Sequence, residues 1–269
     1  MAQTHLIVGA GNMGGAILSG WLKSSLINAR NLAILDPNPG VEAVYAIERG
    51  AKHLADTSDV SRSINTVLLG VKPQMFPQIS RELNEQLGDD VVIISIMAGI
   101  AISTLQSAFP KADVIRAMPN TPASIGKGVT AFVADKDMDP AKIEAVEALL
   151  GASGSVLRID TDEQINAVTA ISGSGPAYLF HFCEALASAG QSLGLPPETA
   201  AALARQTIIG ASGLLEASDR SPTELREAVT SPGGTTQAAL DIFMAADGQT
   251  PLTRRAVQNA FDRARELSK

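Results

Sequence analysis

Short apolar runs alternate with longer stretches of helical period through the first half of the chain, and the alternation stops near residue 160. The runs at 5–8, 32–35, 66–69, 91–94, 114–115 and 129–133 are brief and rich in valine, isoleucine and leucine. They predict β-strands. Between them, 16–22, 41–49, 74–87 and 102–109 repeat apolar positions at helical spacing. Strands alternating with helices predict a mostly parallel sheet covered on both faces.

After residue 160 the pattern is helical throughout. Asp160 or Thr161 caps a helix start, and Asp162 and Glu163 supply acids for its first turn. The apolar pattern runs on to Leu195, broken by Ser172-Gly173-Ser174-Gly175-Pro176. Pro196-Pro197 separates it from a helix at 199–217, and two more are expected at 236–246 and 251–268. The chain therefore divides into 1–159 and 160–269. The 199–217 helix is apolar around much of its circumference and needs neighbours on most sides. One small helical domain cannot supply them, which predicts a subunit interface of interlocked helices.

Candidate chemistry begins at the first strand. It runs into Gly9-Ala10-Gly11-Asn12-Met13-Gly14 and then a helix, which is G-x-G-x-x-G in its proper setting. Gly9 makes the tight turn, Gly11 lets the backbone approach a pyrophosphate, and Gly14 lets helix and strand pack closely. This reading gives a Rossmann-type, dinucleotide-binding first half. The second strand ends at Asp36, where a carboxylate either accepts hydrogen bonds from a ribose hydroxyl and repels a 2′-phosphate, or only opens the turn 36–40. Loops leaving the carboxyl ends of later strands are the other ligand-facing segments: 71–74, 96–99 and 118–122. Lys72 is either a cofactor contact or a solvated loop lysine.

Composition narrows the class. The chain is 45% hydrophobic and 18% charged, with a net charge of −7. That is a globular balance, and it disfavours phosphate-backbone binding to nucleic acid and attraction to anionic lipid. No apolar run reaches membrane-span length, no signal peptide is read, and the single Cys183 excludes an intrachain disulfide framework. A cytoplasmic protein with a buried, structural Cys183 is expected, and no metal. No lysine occurs between Lys142 and Lys269, and His181, in an apolar stretch, is the only histidine there. Alcohol dehydrogenation needs a lysine or histidine to move the hydroxyl proton. An imine does not, so the depletion points to reduction of C=N.

These motifs converge on one family. The chain resembles Δ1-pyrroline-5-carboxylate reductases through GAGNMG (9–14), VKPQ (71–74), MPNTP (118–122), SGSGPAY (172–178) and LREAVTSPGGTTQAAL (225–240). The resemblance implies an α/β Rossmann-type N-terminal domain and an all-α C-terminal dimerisation domain. It implies an interlocked dimer, often assembled into a decamer, and hydride transfer from NADPH or NADH to the C=N carbon of pyrroline-5-carboxylate. Val71, Lys72, Pro73, Met97 and Ala98 would line the nicotinamide side, with Met118, Pro119 and Asn120 close by. Ser231, Gly234, Thr235 and Thr236 would hold the substrate, Thr236 reaching the ring nitrogen, and Asp162 would lie near it. Many members carry small polar or basic residues where this chain has Asp36, which leans the cofactor towards NADH. A family asparagine is replaced around Asp56-Thr57 and is not carried over.

Two other readings fit parts of the chain. A β-hydroxyacid dehydrogenase would want a lysine on the long helix, and 166–195 has none. A nucleotide-binding regulator would not need the second polar segment, Thr230-Ser231-Pro232-Gly233-Gly234-Thr235-Thr236. There the glycines clear an approach, the threonines are expected to cap the following helix, and exposed N–H groups at its positive end would grip a carboxylate.

Overall fold

The structure, a computed structural model, describes residues 4–268. The first part runs β1 (Thr4–Val8), α1 (Asn12–Lys23), β2 (Leu32–Leu35), α2 (Val41–Glu48), β3 (Lys52–Leu54), β4 (Ile64–Leu69), α3 (Phe76–Gln86), β5 (Val92–Ser95), α4 (Ile102–Ala108), β6 (Asp113–Met118), β7 (Gly128–Ala134), α5 (Pro140–Gly151) and β8 (Gly154–Arg158). The strands form one sheet in the order β3-β2-β1-β4-β5-β6-β7-β8. All neighbours are parallel except β6 and β7. Residues 119–127 join that pair; the link is too short for a crossover helix, so the chain turns back on itself.

Successive strand residues feed opposite cores. Ile7, Ile34, Leu68, Ile94 and Ile115 pack with α1, α2 and α5 on one face. Leu6, Val8, Val67, Ile93 and Val114 pack with Phe76 and Leu83 of α3 and Leu105 of α4 on the other. This two-sided burial is why the strands read as continuous apolar runs. Three elements of this part go beyond the sequence expectation. The edge strand β3 is short and half polar, β8 is largely exposed, and α5 starts on Asp139, whose carboxylate accepts from the Ala141 N–H.

Trp21 of α1 is fully buried and donates its indole N–H to the Leu149 carbonyl at 2.8 Å. Its ring centroid lies 6.0 Å from that of His5, a buried β1 residue whose Nδ1 has no hydrogen-bond partner among the described residues. Burial lowers the His5 imidazole pKa from 6.5 to about 4. The unfolded chain takes up this proton near pH 6.5 and the folded chain only near pH 4. Between those values the unfolded state binds more protons, so acid lowers stability. A shift of this size corresponds to about 3 kcal/mol, lost as pH falls through the window and fully present above it. His5→Leu is therefore expected to be less acid-sensitive than wild type between pH 6.5 and 4 in denaturant titrations, and parallel curves would refute the assignment.

The rest of the chain is helical: α6 (Gln164–Val168), a π-turn (Thr169–Gly173), α7 (Gly175–Ser192), α8 (Pro197–Ala217), α9 (Pro222–Ala228), α10 (Thr235–Phe243) and α11 (Gln249–Leu267). The expected break at Ser172–Pro176 is instead a π-turn between α6 and α7. The hydroxyls of Thr169 and Ser172 donate to the carbonyls of Ile165 and Val168 across it. Packing divides the chain into one unit of residues 4–174 with 260–268 and a second of 175–259. Within the second, α7 and α8 pack on each other, yet Leu179, Phe180, Ile209 and Leu214 stay exposed. Cys183 was expected to be buried. In the single chain His181 is exposed beside Glu184, and Cys183 is half-buried on α7.

Candidate active site

The order β3-β2-β1-β4-β5-β6 reverses direction between β1 and β4. At such a switch point the strand ends open a crevice. The glycine-rich loop sits there. Gly9 has φ +87°, and a Cβ on it would lie 2.8 Å from the Gly70 carbonyl carbon. A Cβ on Gly14 would collide with the Gly9 carbonyl oxygen, whereas one on Gly11 would meet nothing within 4 Å. Two glycines are thus needed by the fold, and the third leaves space in front of α1. Gly11 caps α1 without a side-chain hydrogen bond, so the N–H groups of Asn12, Met13 and Gly14 face outward from a twelve-residue helix. This cradle fits a dinucleotide pyrophosphate.

Asp36 lies beside the loop, and both carboxylate oxygens are in use. Oδ2 accepts from the Ala10 N–H at 2.7 Å and Oδ1 from the Asn38 N–H at 2.8 Å. The turn reading and the ligand-facing reading therefore meet in one residue: the carboxylate closes the 36–38 turn and braces the phosphate loop. The Asp36 carbonyl also accepts from His53 Nε2 at 3.0 Å. Asp56 accepts from the Ser58 N–H, and Thr57 donates to Glu82.

The other strand ends line up along the same edge. The pairs Val8–Leu69, Leu69–Ser95 and Ser95–Arg116 put the segments after β1, β4, β5 and β6 in sequence. After β4, Val71 and Pro73 are half-buried and Lys72 is exposed as the cap of a 3₁₀ turn. After β5, Met97 is buried and Ala98 exposed. At the end of β6 and just beyond it, Met118, Pro119 and Asn120 are all buried. The Asn120 amide is occupied: Nδ2 donates to the Ser172 carbonyl at 3.1 Å and Oδ1 accepts from the Val129 N–H at 2.9 Å. It ties its loop to the π-turn instead of presenting a free amide.

Asp162 is likewise engaged. Oδ1 accepts from Arg116 Nη1 at 2.8 Å and Oδ2 from the Ile102 N–H at 3.3 Å. Arg116 was not singled out in the sequence. The available signal was a lone arginine inside the apolar strand Val114-Ile115-Arg116-Ala117-Met118. A charge buried there requires a partner.

Ser231, Gly234, Thr235 and Thr236 come together in the helical unit. The Gly234 N–H donates to the Ser231 carbonyl at 3.0 Å, closing a turn over Pro232-Gly233. The expected capping by threonine is corrected here. Gly234 is the N-cap of α10, with no side-chain cap bond, and Thr235 and Thr236 are its first two helical residues. From inside the helix their hydroxyls are not placed to cap, so the first-turn N–H groups remain available.

Comparison with known proteins agrees with both halves. Residues 5–99 match the family model "NADP oxidoreductase coenzyme F420-dependent", and residues 162–267 match "Pyrroline-5-carboxylate reductase dimerisation". The second match supports a homo-oligomer. The chain is 37% identical over 262 residues to a pyrroline-5-carboxylate reductase of Pseudomonas aeruginosa, covering 97% of this chain and 95% of that one. It superposes on a pyrroline-5-carboxylate reductase structure from Coxiella burnetii with a TM-score of 0.91 at 30% identity, covering both chains fully. A Plasmodium falciparum pyrroline carboxylate reductase with NADP bound gives a TM-score of 0.84 at 25% identity, covering 99% of this chain and 98% of that one. With relatives aligned along nearly its whole length, the chain belongs to the pyrroline-5-carboxylate reductase family.

Proposed function

We propose that this protein reduces the C=N bond of 1-pyrroline-5-carboxylate to give L-proline, the last step of proline biosynthesis. The observation that carries the reading is the open glycine cradle at the sheet's switch point, in a chain that aligns with such reductases from end to end. When bound, the nicotinamide cofactor supplies the hydride from its C4. The residues 9–14 hold its pyrophosphate. Val71, Lys72, Pro73, Met97 and Ala98, with Met118–Asn120, flank the nicotinamide side. Ser231, Gly234 and Thr235 hold the substrate carboxylate against the N–H groups of α10, and Thr236 directs its hydroxyl at the imine nitrogen. A pre-placed, protonated imine needs no strong acid from the protein, which fits the scarcity of lysine and histidine in the second half. Nucleotide binding falls to 1–159 and dimerisation to 160–269, with apolar faces of α7 and α8 interlocking between two copies that can build a decamer. The setting is the cytoplasm.

Steady-state oxidation of NADH and NADPH with pyrroline-5-carboxylate tests the reading. Turnover with a 3-keto or aldehyde acid but not the cyclic imine would overturn it, as would nucleotide binding without turnover.

Asp36 favours NADH in this reading. A unit charge about 4 Å from another is worth about 4 kcal/mol at the effective dielectric of a protein surface, before salt screening. Asp36→Asn keeps an acceptor for the Ala10 N–H and removes the charge. It is expected to move the NADPH-to-NADH ratio of kcat/KM upward by about tenfold or more. An unchanged ratio would show that Asp36 braces the loop without reading the ribose.

A further inference from the structure

Asp162 joins two segments that the proposed reaction needs at a set spacing. Its Oδ2 holds the N–H of Ile102, the first residue of α4, just past the Met97-Ala98-Gly99 loop. Its Oδ1 holds Arg116, two positions before Met118 on the same face of β6. Arg116 is 2% exposed and the Asp162 side chain 23%. Ile102 and Met118 meet in one small apolar cluster with Val133 and Ile165, so both ends of this bridge are packed. From these observations we propose that Arg116–Asp162 is a positioning pair, setting the distance between the 97–99 loop and the 118–120 loop, and that Asp162 is not a substrate ligand. This rests on the assignment of both loops to the nicotinamide side.

The chemistry of the pair favours geometry over stability. A buried ion pair holds a fold no better than apolar residues of the same volume, because desolvation offsets the attraction. The guanidinium is planar and its donors point in set directions, so what it adds is orientation. Arg116 Nε finds no hydrogen-bond partner among the described residues, which makes the pair poorer still as a stability device. The 97–99 loop has a second brace within the same unit. Gly99, at φ +78°, lies against the Leu267 carbonyl, and Ser268 Oγ donates to Asn166 Oδ1 at 3.1 Å.

Hydride transfer is sensitive to donor–acceptor distance, and a misplacement of about 1 Å can cost about a hundredfold in rate. The test uses the whole chain, with wild type assayed first. Failure of wild type to turn over pyrroline-5-carboxylate would overturn the assigned reaction, and the pair would then be judged on hydrogen exchange alone. Asp162→Asn keeps an acceptor for Ile102 and removes the charge facing Arg116. Arg116→Met/Asp162→Asn removes both charges, so no buried charge is left unpaired and folded enzyme can be recovered.

For both variants kcat is expected to fall by about tenfold to a hundredfold while the Kd for NADH stays within about twofold, because the phosphate grip is on another loop. The primary isotope effect with 4-deuterated cofactor is expected to rise. A loss of folded fraction alone would leave that isotope effect unchanged. In nucleotide-free enzyme, amide exchange is expected to quicken in 97–102 and 117–120 and to stay unchanged in 9–14. An unchanged isotope effect with unchanged exchange in those loops would overturn the proposal. So would a raised KM for the pyrroline acid at constant kcat, which would return Asp162 to substrate binding.

Discussion

Gly14→Ala is expected to cost the fold about 3 kcal/mol and to remove nucleotide binding with it, the upper end of what overpacking usually costs. The sign is not obvious in advance. Alanine is the better helix former by about 1 kcal/mol, and Gly14 lies in the first turn of α1. What decides is the identity of the obstacle: the new Cβ meets the Gly9 carbonyl oxygen, a backbone atom that no rotamer change can move. Relief would require α1 to shift away from β1, taking its outward N–H groups off the phosphate line. Gly11→Ala is the contrasting case. Its Cβ has open space around it, so stability should be unchanged in chemical denaturation. The same Cβ stands in front of α1, and affinity for NADH or NADPH is expected to drop by about tenfold or more, some 1.4 kcal/mol. Denaturation and nucleotide titration on the two variants read these losses separately. Equal stability of Gly14→Ala and wild type would remove the packing argument.

Thr236→Ala is expected to lower kcat by about a hundredfold, the lower range for loss of a positioned proton-handling group, with nucleotide affinity little changed. Thr236 is the second residue of α10 and has no capping duty, since Gly234 occupies the cap. Removing its hydroxyl should therefore cost little stability. Thr236→Ser restores a hydroxyl and is expected to recover most of the rate. Full turnover in the alanine variant would take Thr236 out of the mechanism. A rise in KM alone would make it a binding group that leaves the transition state untouched.

Much of the nucleotide-binding half could be read from local pattern. Strand, G-x-G-x-x-G and helix follow one another in a stretch of about 20 residues, and each element restricts the next. The structure assigns the three glycines as that pattern implied: a left-handed turn at Gly9, close packing at Gly14 and open space at Gly11. The second half was readable for a different reason. Its surplus of exposed apolar helix called for a partner, and the match to a dimerisation family agrees. Edge strands escaped the pattern because they carry little burial. Lys52 and His53 of β3 are exposed, and β8 borders only β7. The π-turn escaped because Ser172-Gly173-Ser174-Gly175-Pro176 looks like a breaker, whereas Thr169 and Ser172 satisfy the loosened carbonyls with their own hydroxyls.

By itself the sequence determined the chemistry available: a glycine pattern able to cradle a pyrophosphate, and a second half with a single histidine and no lysine between Lys142 and Lys269. Those are properties of residue type at short spacing, and short spacing is local. Only the tertiary structure decided which polar groups were already spent. Asp36 reaches across 26 positions to Ala10, Asp162 across 46 to Arg116, and Asn120 across 52 to Ser172. Each partner was chosen by strand order and helix packing, which bring together residues that no local rule pairs. That is why residues expected to face ligand are found holding other segments of the chain in place.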